Sequence, residues 1–323
     1  MASRRNHVLV FLMLLLCAVG LGYGITLPTV TFHTVGADVE IYSIITGAEM
    51  MWNDGNWFIA SIIFAFSVIF PASKLLLLGA ILTGRGNPVL RERVTRFLDR
   101  YGKWSMLDVF IVAAFVGSIR LGLIAHADSN MGIHVFGATV LASMVCCQMV
   151  VRLQGLPGHG VVTLQRGGAG GRLISTASAV VLGVAWFLPL LDVRKAIVFH
   201  NDFVLFGSTG LMLSEGEVLL ASTIAIFVLG IPTLRALLLL RYRWWPRETH
   251  RGARLALALG AWAMLDVFAL GIGLVLVKLD ELATARALAG LYLVLAAGVL
   301  AWIDGWLLTR ERDSDVEVAE AGG

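Results

Sequence analysis

Charged residues are scarce in this chain. They make up 15% of its 323 residues, whereas 58% are hydrophobic. Soluble globular proteins carry about a quarter charged residues, so this composition excludes that class. Cysteine is also rare, and the three present (Cys17, Cys146 and Cys147) are too few for a disulfide framework. We expect these cysteines to be small packing residues in apolar surroundings.

Sequence signatures of catalysis and cofactor binding are missing. The chain has no Walker motif, no G-x-S-x-G, no H-E-x-x-H and no C-x-x-C, and its seven histidines are scattered. The net charge of +3 reflects a few basic loops and gives no support for nucleic-acid binding. We therefore predict a protein that is not an enzyme, with no cofactor, no bound metal and no nucleic-acid partner.

Long apolar stretches are what the chain has in abundance. A helix needs about 20 apolar residues to cross the roughly 30 Å of membrane hydrocarbon. The sequence predicts eight such helices, at 8–26, 56–82, 106–125, 133–151, 173–191, 218–240, 264–283 and 287–308. The composition thus predicts an all-α integral membrane protein.

The first stretch has some features of a cleaved signal. Two arginines precede it, and Ala18-Val19-Gly20 has the small-x-small form of a cleavage site. However, the Leu27-Pro28 that closes this stretch recurs as Leu188-Pro189 after an internal one, which cannot be a signal. This recurrence favours an uncleaved helix.

Basic residues are concentrated in alternate loops. Segment 84–105 holds six Lys or Arg residues and segment 241–261 holds five, whereas 27–55 has four acidic residues and no basic one. Basic loops remain in the cytoplasm. We expect both termini to be cytoplasmic and the acidic loops to lie outside, where runs such as 30–35 and 197–200 predict short strands.

The chain contains an internal repeat. Residues 104–110 read Trp-Ser-Met-Leu-Asp-Val-Phe, and residues 262–268 read Trp-Ala-Met-Leu-Asp-Val-Phe. We predict two tandem four-helix modules, and because four is even, both have the same orientation in the membrane. The predicted organisation is a first module at 1–151, a flexible cytoplasmic linker at 152–172, a second module at 173–309 and a disordered acidic tail at 310–323.

A few charges recur inside the apolar stretches. Lys74 lies near the predicted cytoplasmic end of the second helix, at the depth of Asp108 in the third, and Arg235 and Asp266 repeat this arrangement. One interpretation is an intramembrane ion pair in each module, Lys74–Asp108 and Arg235–Asp266, because an isolated charge is costly there. The alternative is that each side chain reaches the cytoplasmic headgroups without a partner.

Two further cations and two prolines also recur. Arg120 and Lys278 each follow their aspartate by 12 residues, in the outer half of the membrane. They are candidates for binding lipid phosphate, although reaching the outer interface explains them as well. Pro71 and Pro232 each precede the basic residue of the second helix by three positions and are predicted to kink that helix.

The repeated motif resembles the paraquat-inducible protein A family, the membrane subunits of MCE-type lipid transport systems. The resemblance also includes Leu27-Pro28, the stretch from Tyr42 to Lys74 ending in Phe-Pro-Ala-Ser-Lys, and their second-half counterparts, and it covers about residues 20–310. Many family members carry cytoplasmic C-x-x-C zinc ribbons before each module, and this chain has none.

The resemblance implies a bacterial inner-membrane subunit that moves phospholipid or other lipid together with a periplasmic or membrane-anchored MCE-domain partner. Two alternatives follow from the residues alone. The first is an ion-coupled transporter of a small hydrophobic compound that uses Asp108 and Asp266 as proton carriers. The second is a membrane scaffold without a transported substrate.

Overall fold

The structure is a computed structural model, and its account of the chain covers a defined set of residues. These are 2–34, 40–83, 88–107, 109–111, 125–153, 168–195, 199–245, 250–282 and 284–309. The predicted tail at 310–323 and most of the predicted linker therefore lie outside the described residues.

The described elements follow the same order in the two halves of the chain, except that α12 of the second half has no described counterpart in the first. In the first half they are α1 (Ala2–Thr26), β1 (Val30–Thr34), β2 (Glu40–Tyr42), α2 (Ile44–Asn53), α3 (Trp57–Phe64), α4 (Phe70–Leu82), α5 (Pro88–Tyr101), β3 (Ala125–Ser129) and α6 (Met131–Leu153). In the second half they are α7 (Ala169–Ala185), β4 (Pro189–Lys195), β5 (Phe199–Val204), α8 (Leu205–Ser214), α9 (Val218–Thr223), α10 (Ile231–Trp244), α11 (His250–Gly260), α12 (Leu265–Leu282), β6 (Thr284–Ala287) and α13 (Ala289–Thr309).

Contacts divide the chain into two compact units. One comprises Met1–Gly158, Glu217–Leu220 and Leu270–Lys278, and the other comprises His159–Gly216, Ala221–Ala269 and Leu279–Gly323. The core of the first unit includes residues of α1, α4, α5 and α6, among them Leu14, Leu78 and the buried Cys146 and Cys147. All three cysteines are buried and none forms a disulfide, as their prediction as packing residues requires.

Six described helical stretches are long and apolar enough to cross a membrane, judged by length and composition. They are His7–Thr26, Ala60–Leu82, Met131–Val151, Val218–Trp244, Arg251–Leu276 and Ala289–Leu308. The fifth includes the turn at 261–264, so its continuous apolar helix is α12. These six overlap six of the eight predicted spans. Of the predicted span 106–125, residues 112–124 lie outside the described part of the chain.

The predicted span 173–191 extends beyond the C-terminal end of the helix in the structure. Helix α7 stops at Ala185, after 17 residues, and β4 begins at Pro189. Proline disfavours helical backbone at the residue before it, here Leu188, which favours an end of the helix ahead of this dipeptide. The apolar residues beyond Ala185 therefore belong partly to a strand, which hydropathy alone does not distinguish from a helix.

Each half carries a three-stranded antiparallel sheet. The strand orders are β2-β1-β3 and β5-β4-β6, so the central strand directly follows the first helix of its half. Strands β1 and β5 confirm the short strands predicted from the runs 30–35 and 197–200, but β3 and β6 were not predicted. Because β3 and β6 directly precede α6 and α13, each sheet joins the start of the last helix to the end of the first.

Two glycines bring these chain segments together. The Gly132 N–H donates to the Pro28 carbonyl at 2.8 Å, and a Cβ on Gly132 would overlap that same carbonyl. A Cβ on Gly290 would likewise overlap the Pro189 and Leu188 carbonyls. Only a residue without a side chain fits this approach, and the same solution occurs in both halves.

The helices that contain Pro71 and Pro232 are irregular just before each proline. A π-helical segment spans Ala65–Ile69 in the first half and Ile224–Gly230 in the second. The Phe70 and Ile231 N–H groups donate to carbonyls five residues earlier, those of Ala65 and Ile226. Single π-helical turns of this kind are frequent at functional sites. The predicted kinks remain predictions, and this irregularity is where they would arise.

Candidate functional site

Lys74 is enclosed within the first half. It lies on α4, its side chain is 1% exposed, and its Nζ donates to Ser143 Oγ on α6 at 3.1 Å. Ser143 in turn donates to the Val140 carbonyl at 2.7 Å. A buried ammonium needs acceptors of this kind, because its three donors have left water.

Arg235 occupies the corresponding position in the second half. It lies on α10, and its Nη2 donates to the Ala301 carbonyl on α13 at 2.8 Å. Arg235 follows Lys74 by 161 positions and Ala301 follows Ser143 by 158, the same offsets as the surrounding repeat. Each half therefore directs the cation of its second long helix toward the same point on its last helix.

The described residues include only some members of the predicted ion pairs. Asp108 lies outside the described residues, so the Lys74–Asp108 pair stays a prediction. Asp266 is exposed in the first turn of α12, while the hydrogen bond described for Arg235 goes to α13. The Arg235–Asp266 pair likewise stays a prediction. The structure adds a contact with the last helix, which the sequence argument did not foresee.

The two lipid-binding candidates cannot be assessed from the geometry. Arg120 lies outside the described residues, and so does the side chain of Lys278, although the backbone of Lys278 belongs to α12. Both remain predictions. Among the residues that are described, no three His, Cys, Asp or Glu side chains are grouped as metal ligands would be.

A buried polar network that sequence reasoning missed lies in the second half, at the end of α10. Arg243 Nη2 and Asp304 Oδ1 are 2.6 Å apart, with side chains 1% and 2% exposed. Ser175 Oγ donates to Asp304 Oδ2 at 2.7 Å, and Arg243 also donates to the Asp304 carbonyl at 3.3 Å. Gly171 packs against the guanidinium. The network joins α7, α10 and α13.

The first half has apolar residues at the equivalent positions. Leu14, Leu82 and Cys146 occupy the places of Ser175, Arg243 and Asp304, and all three belong to or pack against the first core. Arg243 belongs to the basic segment 241–261 and was therefore predicted to be a loop charge. That prediction gave no indication of a buried ion pair. An aspartate inside the predicted span 287–308 was the available signal, because intramembrane carboxylates are rare and usually paired.

The repeated tryptophan makes the same aromatic contact twice. Trp104 packs against Phe66 with ring centroids 6.0 Å apart, and Trp262 packs against Phe227 at 6.1 Å. Both phenylalanines lie in the π-helical segments. Each repeated motif therefore contacts the π-helical segment of its half. That segment lies just before the proline and the cation that recur in both halves.

Chemically, the arrangement is a set of basic side chains held among apolar helices. Such groups bind and orient anions, and a guanidinium in particular forms paired hydrogen bonds to carboxylate or phosphate. Arg243 already holds a carboxylate, through the contact between its Nη2 and Asp304 Oδ1.

Comparison with known proteins gives a consistent result. A sequence model described as Paraquat-inducible protein A matches residues 9–153 and 172–308. The chain is 24% identical over 123 residues to "Intermembrane transport protein PqiA" of Escherichia coli (strain K12), covering 36% of this chain and 29% of that protein. It is 27% identical over 124 residues to a "Probable intermembrane transport protein" of Haemophilus influenzae, covering 37% and 30%.

These alignments span less than a third of the length of the curated relatives. No solved structure matches the chain at a significant level. The family match, in contrast, covers both halves and leaves out little more than the segment between them and the two ends. Together with its apolar helices, this makes the chain a multi-pass membrane protein and a member of the paraquat-inducible protein A family.

Proposed function

We propose that this protein is the inner-membrane subunit of a lipid transport system that loads or receives phospholipid for a periplasmic MCE-domain partner. The observation that carries the proposal is the match of both halves to a family whose curated members are named intermembrane transport proteins. The subunit itself is non-enzymatic in this proposal, and the partner forms the conduit across the periplasm.

The proposal includes eight transmembrane helices in two tandem modules, 1–151 and 173–309, of the same orientation. Support comes from features that recur within each half: the sheet order, the glycine against the proline carbonyl, and the π-helical turn before the proline. The cation contact on the last helix recurs as well. Two copies of one membrane unit account for all of these with a single fold.

The orientation follows from charge. The basic segments 84–105 and 241–261 lie in the cytoplasm with both termini, and the two sheets lie in the periplasm. Lipid would then meet the MCE partner on the side of the sheets. Arg120 and Lys278, in the outer half of the membrane by sequence, are the proposed contacts for lipid phosphate on that side.

The experiment is purification of the full chain from native membranes in mild detergent, with mass spectrometry of proteins and lipids. We expect an MCE-domain protein and phospholipid to co-purify, and the lipid to decrease in Arg120→Ala and Lys278→Ala. A protein that purifies alone, with bulk lipid only, would contradict the stable complex.

The same preparation separates the ion-coupled alternative. If Asp108→Asn and Asp266→Asn fold normally yet change the pH dependence of transport of a small hydrophobic compound, the carboxylates act as proton carriers. If both variants keep full lipid transfer, the two aspartates are structural. Full function in every charge-neutral variant would favour a scaffold.

A further inference from the structure

An arginine and a tryptophan meet on the surface of the second half, where α7 begins and α10 ends. The Arg172 Cζ lies 5.8 Å from the centre of the Trp244 ring. Trp244 Nε1 donates to Thr176 Oγ1 at 3.2 Å, and Thr176 Oγ1 donates to the Arg172 carbonyl at 2.8 Å. Trp244 is nevertheless 51% exposed. A cation–π contact holds the guanidinium without using its N–H donors, which stay available to another acceptor.

This Arg172–Trp244 pair lies at the end of an apolar span. The candidate membrane span that contains α10 runs from Val218 to Trp244, and Trp245 directly after it is also exposed. The two helices carry further exposed apolar side chains, among them Leu173 on α7 and Leu237 on α10. In a multi-pass membrane protein such apolar surfaces face lipid, and tryptophans at the ends of spans lie at the level of the headgroups.

The surface around the pair is basic. Arg241 is exposed three residues before Trp244, and neither α7 nor α10 contains an acidic residue. Asp304 comes close from α13, but its two carboxylate oxygens are held inside the protein by Arg243 and Ser175. The exposed arginines on these two helices therefore complement a negatively charged group that comes from outside them.

The first half has different residues at the equivalent positions. The places of Arg172, Thr176 and Trp244 are taken there by Phe11, Leu15 and Thr83. Phe11 and Leu15 are exposed, so the first half presents an apolar surface at these two positions. A surface of that kind suits acyl chains, whereas the second half adds a cation fixed beside an indole.

We propose that Arg172 and Trp244 form a binding site for the headgroup of an anionic phospholipid such as phosphatidylglycerol. The guanidinium forms charge-assisted hydrogen bonds to the phosphate, and the indoles of Trp244 and Trp245 pack beside the glycerol region. Basic sites at the ends of membrane helices recognise anionic headgroups in this way. The site goes beyond the proposed transport function, because it holds a lipid of the surrounding bilayer whatever the protein moves.

The test measures lipid retained by the full chain. The protein is incubated with vesicles of phosphatidylglycerol and phosphatidylcholine, re-purified, and analysed by native mass spectrometry. Arg172→Gln is compared with Arg93→Gln, which removes the same charge from an exposed position on α5. We expect about fivefold less phosphatidylglycerol in Arg172→Gln alone, the effect of one basic residue at a lipid surface, and unchanged phosphatidylcholine in both. Equal retention of phosphatidylglycerol by the wild type and Arg172→Gln overturns the proposal.

A second variant guards against misfolding. Arg172→Phe/Thr176→Leu/Trp244→Thr gives the second half the residues that the first half has at these positions. We expect it to keep the wild-type unfolding temperature and to retain as little phosphatidylglycerol as Arg172→Gln. Retention at the wild-type level in this folded variant overturns the proposal. Loss of the fold in both variants assigns the pair a structural role and overturns it as well.

Salt, phosphate and protein partners separate the alternatives. High ionic strength should lower the phosphatidylglycerol retained by the wild type toward the level of Arg172→Gln, because exposed charges are screened. If inorganic phosphate alone stabilises the wild type and displaces the lipid, the site takes free phosphate, which overturns the lipid assignment. Loss of a co-purifying protein from Arg172→Gln, with phosphatidylglycerol unchanged, makes the surface a protein contact instead. Absence of an MCE-domain partner from every preparation counts against the proposed function alone.

Discussion

Arg243 and Asp304 form an ion pair that is almost fully enclosed by protein, with Nη2 and Oδ1 2.6 Å apart. Ser175 completes the coordination of the carboxylate. Removing one member of a buried pair leaves the other charge uncompensated, whereas replacing all members by apolar residues is often neutral. The two kinds of replacement should therefore have different effects on the stability of the second half, and this difference can be measured.

We expect Arg243→Leu to lower the free energy of unfolding by about 3–5 kcal/mol, because Asp304 loses its counter-charge. Replacing Arg243, Asp304 and Ser175 together by the first-half residues Leu, Cys and Leu should restore stability to within about 1 kcal/mol of wild type. Denaturant unfolding in detergent measures both. A triple variant as unstable as the single one would show that the network cannot be exchanged for apolar packing.

Gly171 and Gly170 form a matched pair for the same region. A Cβ on Gly171 would meet Arg243 Nη1 and lie 3.0 Å from its Cζ, while one on Gly170 meets nothing within 4 Å. Because the guanidinium is fixed by Asp304, we expect Gly171→Ala to cost about 1–3 kcal/mol. Gly170→Ala should change stability by less than about 1 kcal/mol. Equal effects in thermal unfolding would contradict the enclosed geometry.

The aromatic contacts predict energetic coupling. A double-mutant cycle of Phe227→Leu and Trp262→Leu should give a coupling energy of about 0.5–1.5 kcal/mol, and Phe66 with Trp104 should give a similar value. Phe187 contacts Phe206 and serves as the control, so its cycle with Trp262 should be additive. Additivity in the first two cycles would mean that these rings lie close together without a measurable coupling energy.

The proposed orientation can be tested by labelling introduced cysteines. The native cysteines are buried, which limits background reaction. An impermeant maleimide should label Asp54→Cys, in the exposed turn before α3, on intact spheroplasts. Arg254→Cys, exposed on α11, should react only after permeabilisation. The reverse pattern would invert the topology, and labelling of both in intact spheroplasts would contradict a single orientation.

Sequence reasoning succeeded where a signal was long or repeated. Apolar stretches of about 20 residues identify membrane helices with little ambiguity. The repeat also singled out the positions of Lys74 and Arg235, and the structure gives both a contact with the last helix of their half. Periodicity and duplication are properties of many residues at once, so single exceptions do not obscure them.

Sequence reasoning missed short strands and contacts between residues far apart in the chain, for physical reasons. Strands β3 and β6 have five and four residues, too few for an alternating pattern to distinguish them from the adjoining helices. The Arg243–Asp304 pair joins residues 61 positions apart, and Arg243 looked like an ordinary loop cation at the end of its helix. Only the packing of both α10 and α13 against α7 brings the two together.

The sheets also constrain the order of assembly. Strand β1 pairs with β3, and Asn130 donates to Thr31 across 99 positions of chain. In the proposed topology, β1 leaves the ribosome and crosses the membrane long before its partner exists. Each half must therefore wait in an unclosed state until the start of its last helix has been exported. A delay in translocating the third helix would leave an unpaired strand edge exposed, and that interval is when a chaperone or quality-control protease would have its best access.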